Sequence, residues 1–213
     1  MTEMEYPRRL KALRKRLEIV AADGLLVTNP ANVAYLTGFL GHDATLLITK
    51  RDAFFITDSR YVEEACATVP SVFHVELAGS TAFEKITSIV KASKLNRVGF
   101  EGCHMPYSVV SRLKRYLGSS KLVETRKFLE EIRSLKDADE IKAIRDSIDL
   151  NGKIFKKNAG LVKPGAIEQD IACSIEIDFA RHGSKKAFDT IVATGPNSSK
   201  PHARPGSRAV SKN

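Results

Sequence analysis

Ala44-Thr45-Leu46-Leu47-Ile48-Thr49, Lys50-Arg51-Asp52 and Ala53-Phe54-Phe55-Ile56-Thr57 decide the reading of this chain. Two apolar runs rich in β-branched and aromatic residues flank three charged ones, which is the pattern of a β-hairpin. Toward the N-terminus, Leu10, Leu13, Leu17 and Val20 recur at helical spacing among Arg8, Arg9, Lys11, Arg14, Lys15 and Arg16, so an amphipathic helix is expected. Asp23-Gly24 stops it, Leu25 to Val27 reads as a buried strand, and Asn29-Pro30 breaks that strand. Toward the C-terminus, Asp58 or Ser59 is expected to cap a helix through Tyr61, Val62, Ala65 and Cys66. A strand at Val72 to Leu77, a helix from Phe83 to Ala92, a strand at Arg97 to Phe100, a helix opened by Pro106 and a strand at Leu122 to Glu124 follow. Helices on both faces of a mixed sheet make an α/β domain, placed at residues 1–130.

Residues 131–213 differ in composition and read as the start of a second domain. Phe128 to Leu135 forms a short helical stretch, and Lys136-Asp137-Ala138-Asp139-Glu140 supplies a helix start with an acidic first turn. Ile141, Ile144, Ile148 and Phe155 mark one face of a long helix that ends before Pro164-Gly165. Ile167, Ile171, Ile175 and Phe179 mark a second, closed by His182-Gly183. A strand is expected at Ala187 to Ala193 and a loop at Thr194 to Ser207. Two helices and one strand do not close a domain.

Composition narrows the class. Hydrophobic residues at 43% and charged residues at 28% suit a folded globular chain rather than a disordered one. The apolar runs are of strand length, far short of the roughly 20 residues that span a bilayer, and the basic N-terminus lacks a signal peptide's apolar core. A cytoplasmic protein is expected. Cys66, Cys103 and Cys173 match no metal knuckle and are expected to be reduced and structural. The net charge of +9 invites a polyanion partner, but more than half of the excess lies between Ser184 and Asn213, where Lys185, Lys186, Lys200, Arg204, Arg208 and Lys212 face only Asp189. No zinc finger, RNA-recognition motif or basic stripe interleaved with aromatics accompanies it, which weighs against nucleic acid.

Few residues point to chemistry. His42-Asp43 could act as an acid/base pair, yet neighbours on an extended segment face opposite ways, so a surface pair is expected. His74 reads as a solvent-facing strand residue and His104 as a loop residue. Glu168, Glu176 and Asp178 fall on a helix whose apolar face is placed elsewhere, and are expected to be solvated. Ser59 and Ser198 lack a nucleophile elbow. His202 stands apart, because a Gly/Pro-rich loop presents it after a buried strand.

The segments Asn32-Val33-Ala34-Tyr35-Leu36-Thr37-Gly38-Phe39, Asp58-Ser59-Arg60-Tyr61, Val98-Gly99-Phe100-Glu101, Arg133 through Ile141 and Phe188 through Ala203 occur in order and at suitable spacing. Together they resemble the Xaa-Pro aminopeptidase and prolidase group of pita-bread metallopeptidases. The resemblance implies a creatinase-type N-terminal mixed-sheet domain followed by an incomplete α+β pita-bread domain. It also implies two divalent ions, manganese, cobalt or zinc, held by two Asp, one His and two Glu that lie beyond the position matching Val210. Such a pair, about 3.5–4 Å apart, generates the attacking hydroxide. No carboxylate follows Asp189, so no metal ligand or other cofactor is expected in this chain. His202 matches the family's substrate-contacting histidine, a role it would fill only in a completed site. The chain is thus expected to be the N-terminal portion of a metal-dependent Xaa-Pro peptidase, inactive alone. Its implied partners are proline-containing peptides, further copies of itself, or a separate C-terminal half. The alternative is a stand-alone interaction or oligomerisation module, with nucleic-acid binding third.

Overall fold

The computed structural model describes residues 5–79, 81–118 and 121–212. They form two compact units that part between Lys136 and Asp137.

Among the described residues of the first unit, six strands form one mixed sheet. In chain order they are β1 (Gly24–Val27), β2 (Ala44–Thr49), β3 (Ala53–Thr57), β4 (His74–Leu77), β5 (Val98–Glu101) and β6 (Leu122–Thr125). Their spatial order is β4-β3-β2-β1-β5-β6. The expected hairpin pairs β2 with β3, with Leu46 opposite Phe55 and Leu47 opposite Phe54. β2 also runs antiparallel to β1, while β1 pairs with β5, β5 with β6 and β3 with β4 in parallel.

Strand alternation divides the core in two. Leu25, Val27, Leu46, Ile48 and Phe55 point to one face, where Leu10, Leu13 and Leu17 of α1 (Glu5–Ile19), Val33 and Leu36 of α2 (Pro30–Thr37), Ala65 of α3 (Val62–Thr68) and Leu129 of α6 (Phe128–Ser134) cover them. Leu26, Leu47 and Ile56 point to the other face, against Ile86 and Val90 of α4 (Ala82–Ala92) and Leu113 and Leu117 of α5 (Tyr107–Leu117). The apolar runs therefore read correctly as strands buried on both sides.

Two local elements differ from expectation. Asn29-Pro30 not only breaks β1 but opens α2: Asn29 accepts the N–H of Ala31 at 3.0 Å, and proline suits the first helical position. Gly38 ends α2 at φ +76°, a conformation that a side chain disfavours. Neither Asp58 nor Ser59 caps α3. The Asp58 carboxylate instead accepts the Arg60 N–H at 2.9 Å and the Arg60 guanidinium at 2.6 Å, and α3 starts after Tyr61 without a side-chain cap.

A buried polar network fixes α6 within this unit. Glu101, at the end of β5, accepts the backbone N–H groups of Thr28 at 2.6 Å and Asn29 at 2.8 Å, and the Asn32 amide at 2.7 Å. The same amide donates to Glu130 at 2.8 Å, and Asn32 Oδ1 accepts from Arg133 at 2.8 Å.

The second unit contains α7 (Ala138–Ala159), α8 (Glu168–Arg181) and a 3-10 turn at Gly195–Ser199. A capping box opens α7, since Asp137 accepts from the N–H of Glu140 and Glu140 from that of Asp137. The strand expected at Ala187 to Ala193 does not form; this stretch joins no ladder, and Phe188 is 75% exposed. High β-propensity alone makes no strand where no neighbouring backbone supplies the hydrogen bonds. The face marked by Ile141, Ile144, Ile148 and Phe155 is likewise exposed. Among the described residues, no helix is long and apolar enough to cross a membrane.

Candidate functional site

In the second unit three carboxylates of α8 each hold a different neighbouring segment. Glu168, 0% exposed, accepts the N–H of Thr194 at 2.7 Å, the Asn197 amide at 3.1 Å to each oxygen, and the N–H of Gly206 at 3.2 Å. Glu176 accepts from the Thr190 hydroxyl at 2.9 Å and from Lys186 at 3.1 Å. Buried Asp178 accepts from Lys157 at 2.6 Å and from the Asn158 amide at 2.8 Å. These donors hold all three carboxyls below the ordinary range: chiefly the Thr194 N–H for Glu168, the Thr190 hydroxyl for Glu176 and Lys157 for Asp178.

Glu168 and Asp178 are therefore not solvated, contrary to the sequence expectation. The spacing 168, 171, 175, 178 is itself helical, so both acids lie on the stripe of Ile171 and Ile175 rather than opposite it. That register was a signal for their burial, and hydrophobicity alone concealed it.

The loop from Thr194 to Gly206 carries His202. Its outgoing limb is tied to Glu168 through Thr194 and Asn197, and its returning limb through Gly206. The returning limb also accepts from the first turn of α8, with Gln169 N–H donating to Gly206 O at 3.1 Å and Glu168 N–H to Arg208 O at 3.0 Å. Beside His202, Ala203 is buried and anchors the turn, whereas His202 is exposed and its ring makes no hydrogen bond among the described residues. The loop around His202 is thus held at both limbs while its imidazole projects from it.

The other candidates are dispersed. Asp43 has φ +53°, so His42-Asp43 is not extended; both line a hollow of about 390 Å³ with Thr28, Thr45, Thr57 and Asp58. Asp43 is engaged by Arg60 at 2.7 Å. His74 is exposed on β4 and His104 sits in a turn, as expected. Cys66, Cys103 and Cys173 are free thiols, each exposed on an outward-facing position of a helix or turn.

Comparison with known proteins decides the family. The pattern of the creatinase/prolidase N-terminal domain matches residues 9–135. The chain belongs to that family. Residues 142–213 then match metallopeptidase family M24, so the two creatinase/prolidase segments stand in the expected order. The chain is 31% identical over 195 residues to an uncharacterized peptidase of Bacillus subtilis, covering 91% of this chain and 55% of that protein. The solved Xaa-Pro dipeptidase from Bacillus anthracis superposes with a TM-score of 0.89 at 26% identity, covering 99% of this chain and 58% of that one. A solved aminopeptidase P from Streptococcus thermophilus matches at 32% identity and a TM-score of 0.56, covering 61% of this chain and 98% of that one. The chain spans a little over half the length of the Bacillus relatives it matches.

A metallopeptidase family implies divalent metal ions, and the side chains of this creatinase/prolidase chain do not fit them. Among the described residues, no three His, Cys, Asp or Glu side chains gather where they could hold an ion. Glu168, Glu176 and Asp178 already spend their oxygens on N–H and hydroxyl donors within the unit.

Proposed function

We propose that this chain is the N-terminal portion of a peptidase that hydrolyses the bond preceding proline, and that it does not cleave such bonds alone. The observation that carries this reading is a creatinase/prolidase domain followed directly by an M24 stretch in which exposed His202 is held on a loop tied at both ends. In this reading His202 meets the substrate beside the scissile bond, where an imidazole can donate to a carbonyl oxygen or take up a proton. Manganese, cobalt or zinc would be held by residues other than those of this chain. Proline-containing peptides are the substrates. The three unpaired thiols suit a reducing, cytoplasmic setting.

The site is completed by the C-terminal half of such a peptidase. Its docking surface is an open groove of about 630 Å³ in the second unit, lined by Ile148, Phe155, Ile171, Ile175, Phe188 and Ile191. Asn158 also lines it, and its buried Oδ1 has no hydrogen-bond partner among the described residues. An occupant that brings apolar side chains and one N–H donor would satisfy both features. Self-association of the chain through the same groove is the competing outcome.

The test is to purify the chain, measure bound manganese, cobalt and zinc, and assay Xaa-Pro peptide cleavage, alone and with the C-terminal half of a close relative. Turnover and bound metal are expected only in the mixture. Chelator-sensitive cleavage by the chain alone would overturn the proposal.

A further inference from the structure

We infer that Glu168 is the positioning residue for His202: one buried carboxylate fastens both limbs of the loop that carries the histidine, and so sets where its imidazole is presented. The inference rests on the reading of His202 as a substrate-contacting side chain.

Glu168 is the first residue of α8, where an acidic side chain would normally turn to solvent and favour the helix dipole from outside. Here it turns inward and is 0% exposed. A buried carboxylate is tolerated only when its oxygens are satisfied, and those of Glu168 are satisfied entirely from the loop. Oε1 takes Thr194 N–H and Oε2 takes Gly206 N–H, while the Asn197 amide bridges the two oxygens. Two of these donors are backbone, so the carboxylate fixes the path of the main chain rather than a replaceable side chain. Thr194 and Asn197 precede His202 and Gly206 follows it, with buried Ala203 between. The loop cannot swing as a hinged flap about either limb while that carboxylate is charged.

The donor set also specifies the residue type. A glutamine offers one acceptor oxygen and would turn its own NH₂ toward Asn197 or Gly206, donor against donor. An aspartate keeps the charge but is one methylene too short to reach both limbs from the same backbone position. Beside these uncharged donors lies Arg208, on the returning limb, whose positive charge favours the ionised form of Glu168.

The experiment follows the histidine itself in the full chain. Imidazole and backbone amide NMR signals are compared for the unmodified protein, Glu168→Gln and Glu168→Asp. In Glu168→Gln the His202 ring and the amides from 194 to 206 should shift and broaden. Exchange of the Thr194 and Gly206 amide protons should accelerate roughly tenfold or more. His182, whose Nδ1 lies 2.8 Å from Asp178 O in the same unit, should stay in place, and Glu168→Asp should fall between. If Glu168→Gln does not fold, the unmodified chain is titrated into acid, where the Glu168 carboxyl carbon and the backbone amides of His202 and its neighbours in the loop should change with one midpoint. A folded glutamine variant with His202 and the loop amides unmoved would sink the inference, as would a Glu168 titration to which those amides are blind. In the completed enzyme, turnover sensitive to His202→Ala but indifferent to Glu168→Gln overturns this inference alone. Turnover indifferent to His202→Ala overturns the functional reading, and the positioning role with it.

Discussion

Asn158 donates to Asp178 at 2.8 Å and joins α7 to α8, although Asn158 is 2% exposed and its own Oδ1 is left without a partner among the described residues. Lys157 adds a second donor to Asp178 at 2.6 Å. Lys157 and then Asn158 hold the Asp178 carboxyl below its ordinary value, which fixes the sign of its pH dependence. A depressed folded-state value means that the pair stabilises the second unit at and above the ordinary carboxylate range. That contribution is lost as pH falls through the lowered value. Thermal melts of the unmodified chain and of Asp178→Asn, followed by circular dichroism from neutral pH into acid, should show a gap that closes on acidification. A gap independent of pH would contradict this account.

In the first unit Glu101 carries a comparable load. Glu101→Ala removes the acceptor of the half-buried Thr28 and Asn29 backbone N–H groups and one of the two acceptors of the buried Asn32 amide, which keeps Glu130. A loss of about 2–3 kcal/mol is expected in urea denaturation. Asn32→Ala should cost less once Glu101 is already alanine, because both substitutions break one network. Simple additivity would show that the network does not act as a unit.

Two phenylalanines should separate stability from association. Phe55 is 0% exposed and meets Phe39 edge-to-face with ring centroids 5.0 Å apart, so Phe55→Ala should cost about 3–5 kcal/mol. Phe188 lines the open groove at 75% exposure, and Phe188→Ser should leave the melting temperature of the chain nearly unchanged. The same substitution should weaken capture of a C-terminal half, measured by titration calorimetry. Equal binding by both forms would move the docking surface elsewhere.

His202→Ala tests the loop's chemistry. In a completed enzyme it should lower kcat/KM for Xaa-Pro peptides by roughly a hundredfold, the scale of a lost proton-transfer or orienting group, while bound metal stays constant. Metal lost together with activity would make His202 a ligand instead.

Short-range information in the sequence was enough for most of the first unit. The continuous apolar runs Leu25 to Val27, Ala44 to Thr49 and Ala53 to Thr57 assigned strands, and the charged Lys50-Arg51-Asp52 turn set the hairpin. Asp137 and Glu140, three positions apart, announced the start of α7. The helix at Pro30–Thr37 was less legible, since Asn29-Pro30 signals a strand stop and a helix start alike. Only the tertiary structure decided which groups satisfy the buried polar side chains, because those partners lie far along the chain. Arg133 reaches Asn32, Asn32 reaches Glu101, and Glu168 reaches Thr194 and Gly206, contacts that no local periodicity encodes. It also decided against a strand at Ala187 to Ala193, whose residues favour extension but find no neighbouring backbone to pair with. Local pattern dictates which conformations a segment prefers, whereas the partners that satisfy its hydrogen bonds and cover its apolar surface are set by packing. For that reason His202 was visible as a residue in the sequence, and the Glu168 clamp that holds its loop became visible only in the fold.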